Sequence, residues 1–232
     1  MIKNLSVFFP AYNEAENIEK TVLKAASVLE KLKIPYEIIV INDGSTDATG
    51  QIAEALSVKS HNKIRVIHHP QNLGYGEALR SGFYNARYDW IAFTDSDGQF
   101  DFAEITKFLK LAESADLVIG FRIDRQDPPI RKLNAWGWKQ INRILMGTNA
   151  RDLDCAFKLV KKSVIEKIPR LESARGGMIS PELLAKSKKA GFKIVEVGVH
   201  HYPRTAGSPT GAGLKVIATS FMDLFKLWMK LR

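Results

Sequence analysis

Short apolar segments alternate with helix-length segments over the first half of the chain, and this order constrains the fold more than any other feature. Five segments are apolar and rich in β-branched or aromatic residues: LSVFF, YEIIVIND, KIRVIHH, DWIAFTDSD and DLVIGFR. Helical patterns lie between them, at about 14–32, 47–58, 76–87 and 101–113. This β-α-β-α order predicts an α/β protein with a mostly parallel central sheet and helices on both faces.

The length and composition favour one globular domain. A chain of 232 residues with 45% hydrophobic content can bury a single core, so we expect one domain over 1–232. With one cysteine, an internal disulfide is excluded. The N-terminus does not resemble a signal peptide, and the longest run without a charged side chain, 66–76, contains proline and glycine, so we predict a cytoplasmic protein without a membrane span.

Polar clusters follow three of the predicted strands at their carboxyl ends. PAYNEAEN follows the first strand, NDGSTD the second and DSDGQ the fourth. Ligands of open parallel sheets bind beyond these ends, so the three clusters predict one binding site. The net charge of +9 favours a polyanionic partner, such as a phosphorylated substrate, an anionic membrane surface or nucleic acid.

Several common site types do not fit these clusters. PAYNEAEN has no glycine and the chain has no lysine loop of the Walker type, which excludes the dinucleotide and P-loop fingerprints. A calcium loop beginning at Asp95 would need glycine at its sixth position and glutamate at its twelfth, where Phe100 and Thr106 stand. A phosphatase with an aspartyl nucleophile stays only as a weak alternative. In such enzymes the Asp-x-Asp-Gly run follows the first strand, whereas here it follows the fourth.

The remaining chemistry is a divalent cation bound to a diphosphate. Asp95 and Asp97 offer two carboxylates, and a bend at Gly98 would turn the amide oxygen of Gln99 inward. Mg²⁺ and Mn²⁺ take such oxygen ligands, with substrate phosphates and water completing the shell. The alternative is that one aspartate caps the following helix or stabilises a turn, although Asp101 is better placed as the cap.

These motifs resemble family 2 glycosyltransferases of the GT-A fold, in the branch of dolichyl-phosphate mannosyltransferases and related polyprenyl-phosphate glycosyltransferases. The resemblance runs through FFPAYNEAENI, IIVINDGSTDAT, NLGYGEALRSG, FTDSDGQF, GFR, RDLDCAFKLVKK and HYPRTAGSPTGA, which together cover nearly the whole chain. It implies a metal-dependent hexosyltransferase with Mg²⁺ or Mn²⁺ as cofactor. On this basis residues of about 1–122 form a nucleotide-sugar half and about 123–213 an acceptor half.

The resemblance also implies roles for individual residues. Nucleotide-binding positions map to Pro10, Tyr12, Glu14, Asp43 and Asp95. The metal would be held by Asp95, Asp97 and Gln99. We interpret Asn13 and Glu16 as a helix capping box, Asp47 as a helix cap and Gly44 as a turn residue.

Basic residues of the second half are expected to bind the acceptor. Arg122, Arg131 and Arg204 match positions that grip a lipid phosphate in the resembled enzymes, and arginine binds phosphate oxygens bidentately. In RDLDCAFKL, Asp152 and Lys158 correspond to an acidic and a basic position of the family, with lysine where many relatives carry arginine.

The implied reaction is an inverting transfer of a hexose from a GDP-mannose or UDP-glucose type donor to polyprenyl or dolichyl phosphate. A phosphate acceptor is already nucleophilic near neutral pH, so positioning and electrostatics would supply most of the acceleration. A sugar or protein hydroxyl acceptor would instead need a base, for which Asp152 is the candidate. A non-catalytic sugar-nucleotide-binding subunit is a further alternative, and the dispersed basic residues argue against nucleic acid.

The C-terminal segment of about 214–232, LKVIATSFMDLFKLWMKLR, predicts an amphipathic helix with a narrow cationic face. Such a helix can pack on the protein's own core. It can also lie among lipid headgroups, with anionic lipids attracting its lysines. We therefore expect peripheral contact with the cytoplasmic membrane face as one of two roles for this segment.

Overall fold

The structure is a computed structural model that describes residues 2–123, 137, 140–145, 147–173, 176–204, 206–207, 224 and 227–230. Seven strands form one sheet in the order β3-β2-β1-β4-β6-β5-β7. They are β1 (Leu5–Ala11), β2 (Tyr36–Asn42), β3 (Ile64–His68), β4 (Trp90–Phe93), β5 (Leu117–Ile123), β6 (Lys158–Lys161) and β7 (Ile194–His200).

Six α-helices whose two ends both lie within the described residues accompany the sheet. They are α1 (Ile18–Leu32), α2 (Thr49–Lys59), α3 (Tyr75–Asn85), α4 (Ile105–Leu111), α5 (Lys162–Lys167) and α6 (Ile179–Lys189). The predicted helix at 101–113 is a composite, with 3₁₀ turns at Phe102–Glu104 and Ala112–Ser114 on either side of α4. Residues 140–145 are also helical.

Parallel pairing dominates the sheet, as the alternation of elements predicts. β1 pairs in parallel with β2 on one side and with β4 on the other, and β2 pairs in parallel with β3. The strand β5 is parallel to β7. Apolar side chains cover both faces of these strands because helices pack on each face.

One strand departs from the expected order. β6 lies between β4 and β5 and is antiparallel to both, with Lys158 opposite Phe93 and Ile119. The segment begins and ends with a lysine, so it lacks the apolar run by which the other strands are recognised. The strands β6 and β7 and the helices α5 and α6 are absent from the prediction.

Close packing of α3 against the sheet places the start of this helix near the site. The ring of Phe8 on β1 stacks on Phe93 of β4, with centroids 5.1 Å apart, and meets Phe83 of α3 edge-on. A Cβ on Gly82 would lie 2.3 Å from the Phe8 ring. Glycine at this helix position thus lets α3 approach β1 closely.

The predicted capping box at Asn13 and Glu16 is wrong. The helix α1 begins at Ile18 rather than near residue 14, and Asn17 precedes it without a side-chain cap. Asn13 has a φ of 54°, and its Oδ1 instead accepts the Thr46 backbone N–H at 2.8 Å. Its side chain therefore joins the β1–α1 loop to the β2–α2 loop.

The C-terminal segment is described at Leu224 and at 227–230, and the rest of 214–232 lies outside the described residues. Leu224 and Leu227 are buried in a small apolar cluster with Met178 and Ala185. These residues pack on the protein's own core, the first of the two predicted roles. Across the described part of the chain, no helix is both long and apolar enough to cross a membrane.

Glu37 is a buried charge near the start of β2. Its carboxylate accepts hydrogen bonds from Ser6 Oγ at 2.7 Å, Arg65 Nε at 2.8 Å and the Arg87 backbone N–H at 2.7 Å. Burial by itself would raise the pKa of Glu37, but the hydrogen bonds outweigh it and the pKa lies below its ordinary value. The ionised carboxylate thus joins β1, β3 and the segment before β4.

We predict that Glu37→Gln destabilises the protein by about 3 kcal/mol at neutral pH, because Arg65 then loses its buried charged partner. A carboxylate with a lowered folded-state pKa stabilises the fold above its unfolded-state pKa, and this contribution disappears as the pH falls through the folded-state pKa. Urea denaturation from pH 7 to pH 3 should therefore show a shallower loss of stability in the variant. Glu54→Gln, at an exposed position, is the control. Parallel curves for Glu37→Gln and the parent would contradict the role of Glu37.

Candidate functional site

The carboxylate of Asp43, directly after β2, organises the loop before α3. Its Oδ1 accepts the Leu73 N–H and its Oδ2 accepts the Gly74 N–H, both at 2.9 Å. His69 Nδ1 lies 2.6 Å from Oδ1, and His69 Nε2 lies 2.8 Å from Ser81 Oγ. Asp43 is thus buried and engaged with the protein itself, a role that its prediction as a nucleotide ligand did not include.

Gly44 allows this loop to lie against the end of β2. Its φ is 65°, and a Cβ there would stand 2.2 Å from the backbone of Gln71. Any other residue would place its Cβ against this backbone and would also have to adopt a left-handed backbone conformation. Gly44 is therefore confirmed as a turn residue. The loop over residues 71–74 is therefore held both by the Asp43 carboxylate and by the backbone approach at Gly44.

The aspartate pair at the end of β4 is held from two sides. Ser96, between the two aspartates, donates to the Pro10 carbonyl at 2.8 Å, and the Ser96 carbonyl accepts Thr21 Oγ1 at 3.1 Å. These bonds fix the backbone of the DSD segment against β1 and α1. Asp95 and Asp97 consequently emerge at the carboxyl edge of the sheet, as predicted from the sequence.

The two carboxylates of this pair interact electrostatically. Burial and the neighbouring Asp97 carboxylate raise the pKa of Asp95 to about 7. Tyr75 Oη donates to Asp95 Oδ1 at 2.9 Å, and burial together with Asp95 raises the pKa of Tyr75 well above its ordinary value. Two carboxylates that disfavour each other's charge are typical of a position where a cation is bound.

Gln99 follows a bend at Gly98, whose φ is 74°. Its backbone N–H donates to Asp97 Oδ1 at 3.0 Å, and its Nε2 donates to the Tyr202 carbonyl at 2.9 Å. The Tyr202 N–H donates back to the Gln99 carbonyl at 2.8 Å. Nε2 is therefore used in the bond to Tyr202. The other amide atom, Oε1, is the oxygen that the sequence predicted as a metal ligand.

Arg204 reaches the other side of the aspartate pair. Its Nη2 bonds Glu14 Oε1 and lies 3.8 Å from Asp97 Oδ2. Asn17 Nδ2 donates to Glu14 Oε2 at 2.8 Å and to the Ala206 carbonyl at 3.3 Å. The segment after β7 therefore lies across the β1–α1 loop, and the carboxylate of Glu14, predicted to contact the nucleotide, faces Arg204 here.

The remaining predicted nucleotide residues line the same edge. Pro10 is buried in β1, where its carbonyl is the acceptor for Ser96. Tyr12 is partly buried in the loop that follows β1. The structure thus brings together the predicted residues of the first half: Pro10, Tyr12, Glu14, Asp43, Asp95, Asp97 and Gln99.

The donor set of this edge suits a hard divalent cation. No group of three or more His, Cys, Asp or Glu side chains with metal-binding geometry occurs within the described ranges. The candidate donors are Asp95, Asp97 and the amide of Gln99, which are oxygen ligands. Mg²⁺ and Mn²⁺ commonly take one or two carboxylates and complete their shell with substrate phosphates and water, so this set fits such an ion.

Arg122 and Asp152 form a bidentate ion pair in the second half. Arg122 Nε donates to Asp152 Oδ2 at 2.7 Å and Nη2 donates to Oδ1 at 2.9 Å. Burial opposes the charge, but the bonds to Asp152 outweigh it and raise the pKa of Arg122. The two were predicted separately, as a phosphate ligand and as a general base, and the structure shows them paired.

Lys158 is buried inside the protein. Its Nζ donates to the carbonyls of Cys155 and Leu153 and to Ser180 Oγ, and it lies 5.6 Å from the centre of the Phe93 ring. Burial lowers the pKa of Lys158. With no exposed surface on this side chain, direct contact with an acceptor phosphate would require Lys158 to leave these partners.

Several other predictions are settled by local contacts. Asp101 accepts the Ala103 N–H and caps the turn at Phe102–Glu104, as expected, but the Glu104 carboxylate bonds His200 rather than completing a capping box. Asp47 accepts the Thr49 N–H at the start of α2, consistent with a cap. Arg131 lies outside the described residues.

Two contributors to the site escape sequence reasoning. Tyr75 stands between Gly74 and Gly76 in a motif chosen for its glycines, and a tyrosine at the start of a helix carries no distinctive signal. His69 directly follows β3, and no motif in the sequence distinguishes it. Tyr75 contacts Asp95 and His69 contacts Asp43, and each contact joins residues that lie far apart in the sequence.

The sheet topology and the carboxylates at its edge define a GT-A fold. The structure of glucosyl-3-phosphoglycerate synthase from Mycobacterium tuberculosis, in complex with Mn²⁺, UDP and glucosyl-3-phosphoglycerate, aligns with a TM-score of 0.73. The alignment covers 99% of this chain and 80% of that chain, at 20% sequence identity. Residues 6–169 match the model of glycosyl transferase family 2, so the chain belongs to this family.

Characterised relatives share this region of sequence. Glycosyltransferase AglD of Haloferax volcanii is 30% identical over 211 residues, covering 86% of this chain and 33% of AglD. Polyprenol monophosphomannose synthase of Mycolicibacterium smegmatis is 26% identical, covering 93% and 83%. Dolichyl-phosphate beta-glucosyltransferase ALG5C of Trichomonas vaginalis is 28% identical, covering 82% and 61%. The chain thus spans about one third of AglD and less than two thirds of ALG5C.

We predict that Asp152→Asn destabilises the protein by about 3 kcal/mol, because Arg122 would keep its charge without a carboxylate partner. Asp154→Asn, two residues away and exposed, should change the stability by less than about 1 kcal/mol. Urea unfolding at neutral pH measures both values. Equal stability of the two variants would show that the Arg122–Asp152 pair contributes nothing to the fold.

Proposed function

We propose that this protein is a metal-dependent glycosyltransferase that moves a hexose from a nucleotide diphosphate sugar to a polyprenyl phosphate with inversion at the anomeric carbon. The observation that carries the proposal is the Asp95–Asp97 pair at the end of β4, beside Asp43 at the end of β2, in a family 2 fold. Diphosphate donors need a cation that neutralises the departing phosphates, and this edge supplies its oxygen ligands.

The geometry of the donor side supports a role for each of its residues. Asp95, Asp97 and Gln99 would hold Mg²⁺ or Mn²⁺, and the ion would offset charge on the leaving diphosphate. Asp43 would shape the nucleotide site by fixing residues 73 and 74, and Pro10 and Tyr12 would contact the nucleotide from the end of β1. Glu14 orients Arg204 towards Asp97, where the guanidinium can also approach a phosphate.

The state of Asp152 favours a phosphate acceptor over a hydroxyl acceptor. A general base needs an oxygen available to take a proton, but both oxygens of Asp152 accept hydrogen bonds from Arg122. Such bonds stabilise the ionised carboxylate and weaken it as a base. A phosphate monoester is nucleophilic without a base, so it suits this arrangement better.

Arg122 remains suited to bind the acceptor while it is paired. The bidentate contact uses one N–H of Nε and one of Nη2, and a guanidinium carries five N–H donors in all. Asp152 would then fix the orientation of the guanidinium for a phosphate on its other edge. The names of relatives acting on polyprenol and dolichyl phosphates support this acceptor class. Arg131 is proposed as a second phosphate ligand from the sequence.

We predict that Asp97→Ala abolishes transfer in the presence of Mn²⁺ while the protein stays folded, because the strand-end carboxylate contributes little to the core. The assay supplies polyprenyl phosphate with GDP-mannose or UDP-glucose and detects the lipid-linked sugar by mass spectrometry. Asp101→Ala is the control, since it removes an exposed cap at a cost of about 1 kcal/mol in stability and should retain transfer. Transfer by Asp97→Ala at the parent rate would refute the metal assignment, and a parent that transfers sugar from neither donor to polyprenyl phosphate would refute the proposed reaction.

We further propose peripheral contact with anionic membranes through the C-terminal segment, on the side opposite its buried leucines. Met229 is 53% exposed, Trp228 is partly buried, and Lys230 is exposed while its Nζ pairs with Glu172, so an apolar and a charged side chain reach the surface together. Polyprenyl phosphates reside in membranes, and such a surface would hold the enzyme near them.

Met229→Glu is expected to reduce sedimentation with liposomes containing anionic lipids, because it places a charge where an apolar contact is proposed. The matched control is Val58→Glu on α2, at an even more exposed apolar position. A point substitution is preferable to deletion of 214–232, which would remove buried Leu224 and Leu227. If both variants sediment like the parent, membrane contact does not involve Met229.

A further inference from the structure

Tyr75 is the first residue of α3, and it bridges two strand ends. Its hydroxyl donates to Asp95 Oδ1 at 2.9 Å, across from the end of β4. Its ring packs beside the apolar cluster that contains Phe8, Phe93 and Leu79. The hydroxyl is therefore presented from a side chain whose position is set by the core.

The backbone that carries Tyr75 is also fixed. The N–H groups of Leu73 and Gly74, immediately before it, are held by the two oxygens of Asp43. A continuous chain of contacts thus runs from Asp43 through residues 73–75 to Asp95. Since β1 lies between β2 and β4, this chain connects the two sides of the site above β1.

The hydrogen bond from Tyr75 restricts the side chain of Asp95, which its backbone contacts do not. Ser96 and Thr21 fix the backbone of the DSD segment, but a backbone contact leaves the Asp95 carboxylate able to rotate about its side-chain bonds. A hydrogen bond on Oδ1 opposes this rotation and leaves Oδ2 for another ligand.

We propose that Tyr75 is a positioning residue for the cation site, holding the Asp95 carboxylate in the orientation in which it can bind Mg²⁺ or Mn²⁺. The inference rests on the proposed function in one respect, that Asp95 and Asp97 receive the cation. Groups outside a metal's immediate ligands commonly orient those ligands, and their removal weakens metal binding about 10–100-fold.

The test is Tyr75→Phe, which removes the hydroxyl and keeps the ring. Mn²⁺ is titrated into the full-length protein with saturating UDP, and separately with GDP, while electron paramagnetic resonance follows free and bound Mn²⁺. The variant should bind Mn²⁺ about tenfold more weakly, and the spectrum of its bound Mn²⁺ should differ from that of the parent. A purely structural role of Tyr75 would change the melting temperature without changing this spectrum.

Tyr84→Phe is the matched control, because Tyr84 lies on the same helix and its hydroxyl accepts the Leu171 N–H away from the aspartates. Its Mn²⁺ affinity should equal that of the parent. Equal affinity and an equal spectrum for Tyr75→Phe would overturn the inference and leave the metal assignment intact. A parent that binds Mn²⁺ no better than Asp97→Ala would overturn the metal assignment, and the inference with it.

Discussion

The parallel pairing of β1 with β2 and β4 is the constraint on which the site depends. It brings the ends of β2 and β4 to one edge of the sheet, so that Asp43 and Asp95 stand on either side of β1. The intervening loop can span this gap because Gly44 allows close approach of the backbone near Gln71. The packing of Gly82 on Phe8 then brings α3, and with it the hydroxyl of Tyr75, within reach of Asp95.

Charge compensation determines how the remaining side chains are arranged. An ionised group in a partly buried site needs a partner, because burial otherwise disfavours its charged form. The arginines at this edge accordingly pair with carboxylates: Arg122 with Asp152, and Arg204 with Glu14. The ammonium of Lys158 is stabilised by carbonyl oxygens and by Ser180. At Asp95 the neighbouring charge is instead another carboxylate, that of Asp97.

The sequence predicts the first half of the fold well because its signals are local. Strand-length apolar segments, helix periodicity and the polar clusters at strand ends all lie within short windows, and the parallel sheet follows from their order. β6 could not be predicted in the same way. Its pairing with β4 and β5 is set by tertiary packing, and Lys158 at its start interrupts the apolar pattern.

The composition of the site could be predicted from residue types, but the partners of these residues could not. Asp95, Asp97 and Asp43 were expected at the sheet edge from their places after strands. The pairing of Arg122 with Asp152 joins residues 30 positions apart, and that of Arg204 with Glu14 joins residues 190 apart. Neither spacing carries a periodic signal, so the sequence shows the charge of each residue but not its partner.

The position of Arg204 links the cation site to the segment after β7. Its Nη2 is 3.8 Å from Asp97 Oδ2, which is too long for a hydrogen bond, whereas the same nitrogen bonds Glu14. Gln99 adds a second link, because it bonds both Asp97 and Tyr202. A divalent cation at Asp97 would take over the neutralisation of this carboxylate and repel the guanidinium. Phosphate oxygens beside the cation would in turn attract Arg204, so binding of cation and diphosphate together, rather than cation alone, would favour keeping this segment over the site.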